Sequence, residues 1–305
     1  MKSTNCANWI LVTGTSTGIG RAATFTLAEN GYRVLAAVRK REDVESLLAE
    51  AGTRRVVGFV EPIILDVTDA GQIATAVEIV RAKIAAGGSL HALVNNAGAQ
   101  WPGPIETLPL VDWRRQFEVL FFGPIALTQQ FLPQLRASRG RVINVTSIGG
   151  IMPGPMIAAY QAAKAAFEAV SDSMRMEFSP FGVHVSAIAP GSISTPMLSR
   201  SSDQLNRLAD ALPKRLQPVY ADALRAFAKT VASAQRFSTS PAKASLTILR
   251  AVTASRPRTR YLIGTDAKLS AFLKRNLPDR WMDAIIFRLV GLPRRVTLGT
   301  PTYVL

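Results

Sequence analysis

The stretch Thr13-Gly14-Thr15-Ser16-Thr17-Gly18-Ile19-Gly20 decides the fold of this 305-residue chain. It lies between an apolar run at residues 9–13, typical of a buried strand, and a helical pattern over residues 21–30 that Gly31 is expected to end. Glycines in such a turn let the backbone approach a pyrophosphate, and the helix N-terminus supplies N–H donors. The G-x-x-x-G-x-G spacing leaves an ordinary glycine-rich turn as the alternative. The strand, turn and helix context favours dinucleotide binding.

The same alternation continues outward along the chain. Further apolar runs predict strands at residues 33–38, 57–65 (interrupted by Pro62), 91–95, 141–146, 183–189 and 261–263, and helical patterns cover residues 72–85, 111–137 and 158–178. Strands that are apolar along their whole length are typical of a parallel sheet covered on both faces. The predicted fold is therefore an α/β, single-domain, doubly wound parallel sheet of Rossmann type.

Two further segments complete the predicted domain. Residues 195–241 are helical and irregular in pattern, and we expect them to form a lid above the sheet. Residues 266–305 form a basic, amphipathic C-terminal extension, within which residues 268–292 carry the amphipathic pattern. The first 265 residues, with the lid, are predicted to be the dinucleotide-binding catalytic domain, and the extension is predicted to belong to the same domain.

Composition and charge narrow the classes of protein. A hydrophobic fraction of 48% with 19% charged residues is typical of a folded chain. A single cysteine, Cys6, allows no intramolecular disulfide and favours a reducing compartment, and we see no signal peptide or long apolar run, so a cytoplasmic location is expected. The net charge is +15, with ten cations against three acids in residues 251–305. A solvated surface and peripheral contact with an anionic membrane both fit that charge; without a nucleic-acid motif, we expect no nucleic-acid partner.

The end of the second strand indicates which dinucleotide binds. Arg39, Lys40 and Arg41 stand where an acid would accept from a ribose 2′-hydroxyl, and cations there suit a 2′-phosphate. NADP(H) is therefore expected in preference to NAD(H), with ordinary surface charge as the alternative. After the third strand, Asp66 could accept from the adenine amino group; a helix cap is its alternative role, with Thr68 as a competing cap.

The strongest indication of catalysis is the pair Tyr160 and Lys164. Residues four apart share one face of a helix, and a nearby ammonium would lower the pKa of the phenol. Tyr160 could then donate a proton to a carbonyl or accept one from an alcohol. Ser147, just after the fifth strand, could polarise the same substrate oxygen. Each signal is weak alone, and their combination points to a proton-transfer site. No metal site is predicted.

These motifs, in this order, resemble the classical branch of the short-chain dehydrogenase/reductase family over about residues 9–265. The resemblance implies that Ser147 stabilises the substrate oxygen, Tyr160 transfers the proton and Lys164 holds the ribose and tunes Tyr160. It also implies pairing into a homodimer or homotetramer through residues 111–137 and 158–178. The residues expected to contact the cofactor are Gly14, Thr15, Ser16, Gly18, Ile19, Gly20, Arg39, Asp66, Val67, Asn96, Ala97, Gly98, Tyr160, Lys164, Pro190, Gly191, Ile193 and Thr195.

The glycine-rich turn together with Arg39 is similar to the retinol and hydroxysteroid dehydrogenases of that family. This similarity implies an apolar small-molecule substrate, a ketone or aldehyde interconverted with its alcohol, of steroid, retinoid or lipid type. Apolar residues of the lid could line its pocket or could simply bury the lid helices on the body of the domain.

One position departs from the family pattern. The stretch Phe117-Glu118-Val119-Leu120-Phe121-Phe122-Gly123-Pro124 has Leu120 where the family carries an Asn that holds a water of a proton relay. Leucine has no donor or acceptor. Two hypotheses follow: an enzyme whose relay takes another route, or a cofactor-binding protein with little or no catalysis that acts as a redox sensor or scaffold. The retained Ser147, Tyr160 and Lys164 favour the enzyme.

Overall fold

The computed structural model describes residues 7–291 and contains one seven-stranded sheet. The strands are β1 (Asn8–Thr13), β2 (Arg33–Val38), β3 (Phe59–Ile64), β4 (Ser89–Asn95), β5 (Arg141–Val145), β6 (His184–Pro190) and β7 (Arg260–Ile263). They lie in the order β3-β2-β1-β4-β5-β6-β7, and every neighbouring pair is parallel. The order reverses between β1 and β4, the position at which doubly wound sheets open a crevice for ligands.

The helices in the described residues cover both faces of the sheet and its carboxyl edge. They are α1 (Gly18–Glu29), α2 (Arg41–Thr53), α3 (Ala70–Ala85), α4 (Leu110–Phe117), α5 (Gly123–Ser138), α6 (Ala158–Phe178), α7 (Pro196–Ala211), α8 (Gln217–Arg236), α9 (Pro241–Thr253), α10 (Thr265–Asn276) and α11 (Asp279–Val290). Alternate residues of β1 serve the two cores: Ile10 packs with residues of α1 and α9, and Leu11 packs with residues of α3 and α5. This confirms the doubly wound fold.

The lid is two helices, α7 and α8, that pack on each other. Their contact has its own apolar cluster, which includes Leu205 and Leu224, both fully buried. Ser201 on α7 donates to Gln100 Oε1 at 2.9 Å, so the lid is also joined to the loop that follows β4. The lid residues therefore bury part of their apolar surface against each other.

Several predicted boundaries are wrong, each for a physical reason. Pro62 lies inside β3, which is tolerated because β3 is an edge strand. The predicted helix at 111–137 is divided by a π-helical turn, Glu118–Phe122. The predicted amphipathic segment at 268–292 is two helices, because Pro278 cannot continue α10; position 292 lies outside the described residues. Helices α2 and α9 were not predicted, although the buried residues of α9, which include Ala244, Ile248 and Ala251, recur at helical spacing.

Candidate active site

The glycine-rich turn is joined to the loop after β4 by a set of short contacts. A Cβ atom on Gly14, whose φ is +68°, would lie 2.7 Å from Cα of Ala97, so this close approach requires glycine. Thr13 Oγ1 accepts from the backbone N–H groups of Asn96 and Ala97, both at 2.9 Å. Asn96 Nδ2 donates to the Thr13 carbonyl at 2.8 Å. These bonds fix the two turns side by side at the carboxyl edge of the sheet.

The loop after β6 reaches the same point. A Cβ atom on Gly18 would lie 2.9 Å from Thr195 Cγ2, so the start of α1 contacts the segment from Pro190 to Thr195. Thr17 precedes α1 without a side-chain capping bond, which leaves N–H groups of the first turn available to an anion. Arg21, a residue that sequence reasoning missed, donates to the Ser16 carbonyl at 3.1 Å and to Glu50 at 2.6 Å, so it supports the turn from behind.

The predicted adenosine end has the expected cations. The exposed Arg39 guanidinium lies 4.0 Å from the carboxylate of Asp66, and Lys40 and Arg41 stand at the N-terminus of α2. A helix N-terminus beside cations fits a phosphate group. Asp66 accepts from the backbone N–H of Thr68 at 2.9 Å and from its hydroxyl at 2.8 Å.

The alternative that Asp66 or Thr68 caps the next helix is wrong. Asp69 caps α3, accepting from the backbone N–H groups of Gly71 at 2.9 Å and Gln72 at 3.0 Å, because it is the residue directly before the first helical turn. The Asp66 carboxylate therefore faces Thr68 and Arg39 instead of a helix end.

Ser147 and Tyr160 are brought together by a short turn and the first turn of α6. Ser147 Oγ accepts from the Gly149 N–H at 3.0 Å, which orients the hydroxyl at the end of β5. Burial raises the pKa of Tyr160 above its usual value of 10, while the hydrogen bond with Ser147 lowers it. The predicted lowering of this pKa by Lys164 is therefore wrong for the chain by itself, since burial dominates and Lys164 is not among the groups that act on the phenol.

Lys164 lies one turn beyond Tyr160 and is buried, with 4% of its surface exposed. Its ammonium donates to the Val145 carbonyl at 2.7 Å, at the end of β5. Burial lowers the pKa of Lys164 to about 8, and the charge of Glu168 raises it. The ammonium is thus held in one position, and its pKa of about 8 lies close to neutral pH.

Glu168 is a second residue that sequence reasoning missed. It is buried on α6, and it accepts from the Thr146 hydroxyl on one side and from Arg260 Nε, at 2.8 Å, on the other. Its position four residues after Lys164, on the same helix face, was the available signal. Glu168 ties α6 to the residue before Ser147 and to β7.

Leu120 lies inside the site. It is fully buried in the π-helical turn, and its Cδ2 is 3.6 Å from the point that a Cβ on Gly98 would occupy. The Met197 Cε of the lid lies 3.5 Å from the same point. The surroundings of Gly98 are therefore apolar at the position where the resemblance implies an asparagine side chain.

A Rossmann-type sheet with these segments at its carboxyl edge defines the class of dinucleotide-binding α/β proteins. The family model for short chain dehydrogenases matches residues 8–206. The chain belongs to the short-chain dehydrogenase/reductase family of oxidoreductases, whose members use NAD(P), and to its classical, retinol dehydrogenase-like branch.

The relatives are similar over nearly their whole length. Retinol dehydrogenase 5 of Mus musculus is 34% identical, over 93% of this chain and 89% of the mouse protein. The NADPH-dependent 3-dehydrocapnine reductase of Ornithobacterium rhinotracheale is 30% identical, over 92% and 96%. A short-chain dehydrogenase from Streptomyces avermitilis has a similar structure, with a TM-score of 0.71 and 28% identity over 93% of this chain and 97% of that one.

The described part of the chain has neither a cluster of metal-ligating side chains nor a membrane-spanning helix. Within residues 7–291, no group of three or more His, Cys, Asp or Glu side chains is placed to hold a metal ion. In the same residues, no helix combines the length and the apolar character that crossing a bilayer requires.

Proposed function

We propose that this chain is an NADP(H)-dependent oxidoreductase that interconverts an apolar ketone or aldehyde, of steroid, retinoid or lipid type, with its alcohol. The observation that carries the proposal is the placement of Tyr160 close enough to Ser147 for the serine to lower the pKa of the phenol, with Lys164 buried one turn away. All three lie at the same edge of the sheet as the glycine-rich turn. The partly buried Met197 side chain of the lid, which lies beside Gly98, supports an apolar substrate.

Each residue has a distinct role in this proposal. The nicotinamide cofactor supplies or accepts the hydride. In the reductive direction Tyr160 donates its phenolic proton to the substrate oxygen, and the Ser147 hydroxyl donates a hydrogen bond to that oxygen as charge develops on it. Lys164 holds the ribose, and the loops that carry Gly14, Asn96 and Ile193 hold the remaining cofactor. Arg39, with Lys40 and Arg41, binds the 2′-phosphate and sets the preference for NADP(H).

A second candidate, a cofactor-binding protein with little catalysis, rests on Leu120. The buried leucine offers no polar atom for a relay water, although Lys164 retains its bond to Val145. The reductase proposal predicts that the Val145 contact is sufficient to place the lysine.

The experiment is NADPH consumption on a panel of apolar ketones and aldehydes, with the wild type, Leu120→Asn and the matched apolar control Leu120→Met. Turnover by the wild type supports the reductase. Turnover by Leu120→Asn alone would support the binding protein, and turnover by none of the three would contradict a reductase for this substrate class. Melting curves with and without NADPH show whether each variant is folded and binds the cofactor.

We also propose a homodimer or homotetramer, in which the exposed apolar side chains of α4–α6 and the turn between α4 and α5 form the contact. They include Leu110, Val111, Phe122 and Met176, of which Leu110 is 69% exposed. Sedimentation at two protein concentrations tests this, and a monomer at both would contradict it.

The C-terminal extension is proposed to belong to the catalytic domain and to contact an anionic membrane peripherally, from the cytoplasmic side. On α10 and α11, exposed Phe272 and Trp281 stand among Lys274, Arg275 and Arg280. Apolar side chains surrounded by cations suit the boundary of anionic lipids. Flotation with phosphatidylserine vesicles at low salt tests the contact; recovery of the protein only in the unbound fraction would exclude it.

A further inference from the structure

We infer that Asp266, at the start of the C-terminal extension, is a positioning residue that holds the loop after β6 in the shape that the cofactor needs. The inference rests on the proposed function, in which the loop that carries Ile193 and Thr195 holds part of the cofactor. Asp266 lies outside the sequence motifs, because the last of these motifs ends before β7.

The carboxylate of Asp266 occupies a space that two glycines leave open. Its Oδ2 accepts from the backbone N–H of Ser192 at 2.6 Å. A Cβ atom on Gly191 would lie 2.3 Å from Oδ1 of Asp266, and one on Gly264 would lie 2.2 Å from the same oxygen. Any side chain at either position would displace the carboxylate. The glycine of the Pro190-Gly191 motif is therefore needed for this contact, whatever it contributes to the cofactor.

Within residues 7–291, the remaining hydrogen bonds of the loop join backbone atoms. The Gly191 N–H donates to the Ile263 carbonyl at 2.9 Å, and Ser192 and Ser194 exchange bonds with Thr239 at 2.9 and 3.0 Å. These bonds attach the loop to β7 and to the end of the lid. Among the hydrogen bonds of the described residues, Asp266 gives the only side-chain acceptor at Ser192, directly before Ile193.

The effect of this contact reaches the proposed cofactor site within three residues. Ile193 is 6% exposed, and Thr195 packs against Gly18 at the start of α1. If the Ser192 N–H is released, the loop retains its backbone bonds but gains freedom between Gly191 and Thr195. A charged hydrogen-bond acceptor is worth more than a neutral one, so its loss weakens an interaction that depends on the loop. Cofactor affinity is the property that changes, because the hydrogen bond that the structure describes for the Asp266 carboxylate goes to the Ser192 N–H of the loop and not to Ser147 or Tyr160.

The test compares Asp266→Ala and Asp266→Asn with the wild type, using fluorescence titration with NADPH and steady-state kinetics. Asn retains an acceptor of the same size. We expect Ala to weaken NADPH binding about tenfold and to raise the KM for NADPH, with kcat at saturating NADPH within about twofold. We expect Asn to restore binding to within about threefold of the wild type. Asp283→Ala, at an exposed aspartate of α11, is the matched control and should bind as the wild type does.

A purely structural role gives a different result. In that case Ala lowers the melting temperature measured without cofactor and leaves the dissociation constant of NADPH unchanged, and this outcome overturns the inference. Equal loss of affinity in Ala and Asn also overturns it, because Asn can still accept from Ser192. If the wild type binds neither NADPH nor NADH, the proposed function fails first, which separates the two failures.

Discussion

The parallel sheet has an amino edge, where its strands begin, and a carboxyl edge, where they end. Both edges carry a tyrosine and a basic side chain, but in different surroundings. At the amino edge, the His91 ring stacks on Tyr32 at 5.5 Å and contacts the Val252 carbonyl, and Arg141 donates to the Ala251 carbonyl at 2.7 Å. At the carboxyl edge, Tyr160 and Lys164 stand beside turns whose glycines are required by close backbone approach.

Burial shifts pKa values at both edges. It raises the pKa of Tyr32 and lowers that of His91 at the amino edge, and it raises the pKa of Tyr160 and lowers that of Lys164 at the carboxyl edge. A shifted pKa therefore does not by itself mark a functional site. The difference lies in the surroundings. The amino-edge groups face one another and the end of α9, whereas at the carboxyl edge Lys164 donates to the Val145 carbonyl and Tyr160 lies near the Ser147 hydroxyl.

The largest effect is expected from the tyrosines of the two edges, Tyr160 and Tyr32. Tyr160→Phe keeps the ring but removes the transferable proton, and should lower turnover by about a hundred- to ten-thousandfold with NADPH binding retained. Tyr32→Phe, the matched change at the amino edge, should leave turnover within about twofold. Stopped-flow or steady-state NADPH oxidation measures both. Normal turnover in Tyr160→Phe would contradict the proposed proton transfer by Tyr160. A large loss of turnover in Tyr32→Phe would contradict the proposal that only the carboxyl edge is catalytic.

Arg39 is the next test of the carboxyl edge. Arg39→Asp removes a cation from the proposed 2′-phosphate site and puts a repulsive charge there, so NADPH affinity relative to NADH should fall by about ten- to a hundredfold. The guanidinium is exposed, so the fold should be unaffected. Arg55→Asp, beyond the far end of α2, is the control with the same charge change. Titration with both cofactors gives the ratio; an unchanged ratio would mean that other groups select the cofactor.

The sequence predicted the strands and their parallel direction, because the buried strands of a parallel sheet are continuous apolar runs bounded by turn residues, as at residues 9–13 and 33–38. Tyr160 and Lys164 were predicted as site residues from their spacing on one helix, and Ser147 from its position after the fifth strand; the structure places all three at the carboxyl edge. The π-helical turn at Leu120 was not predicted, because it depends on how α4 and α5 pack and not on a local signal. Glu168 and Asp266 were missed for a similar reason: their partners Arg260 and Ser192 are 92 and 74 residues away in the sequence. Such contacts exist only after the sheet is assembled.

Glu168 gives a smaller effect, which depends on pH. The pKa of Lys164 is about 8 and is raised by Glu168, so its ammonium is lost as the pH rises through that value. Glu168→Gln removes this support and lowers the pKa further, so activity that needs the ammonium should decline at a lower pH than in the wild type. Asp172→Asn, which also contacts Arg260 but not Thr146, is the control. We expect a severalfold loss near pH 8 in profiles of kcat/KM; superimposable profiles would contradict the role of Glu168.

The smallest effect is expected at the amino edge, where His91 should influence stability and not turnover. Burial lowers the pKa of His91 below 6.5, and the charge of Arg141 acts in the same direction. The unfolded chain therefore binds a proton at this histidine more readily than the folded chain. The contribution of neutral His91 to stability is fully present above its unfolded pKa of about 6.5, and it declines as the pH falls from there toward the lower pKa of the folded state.

His91→Phe keeps the stacking on Tyr32 and removes the titrating group. Its free energy of unfolding, from urea denaturation at several pH values, should decline less on acidification than that of the wild type, while kcat at neutral pH stays the same. An equal decline in both proteins would mean that other groups cause the acid sensitivity. A change in kcat would mean that the amino edge takes part in catalysis. Because the full length of the strands separates the two edges, this measurement is the sharpest test of the difference between them.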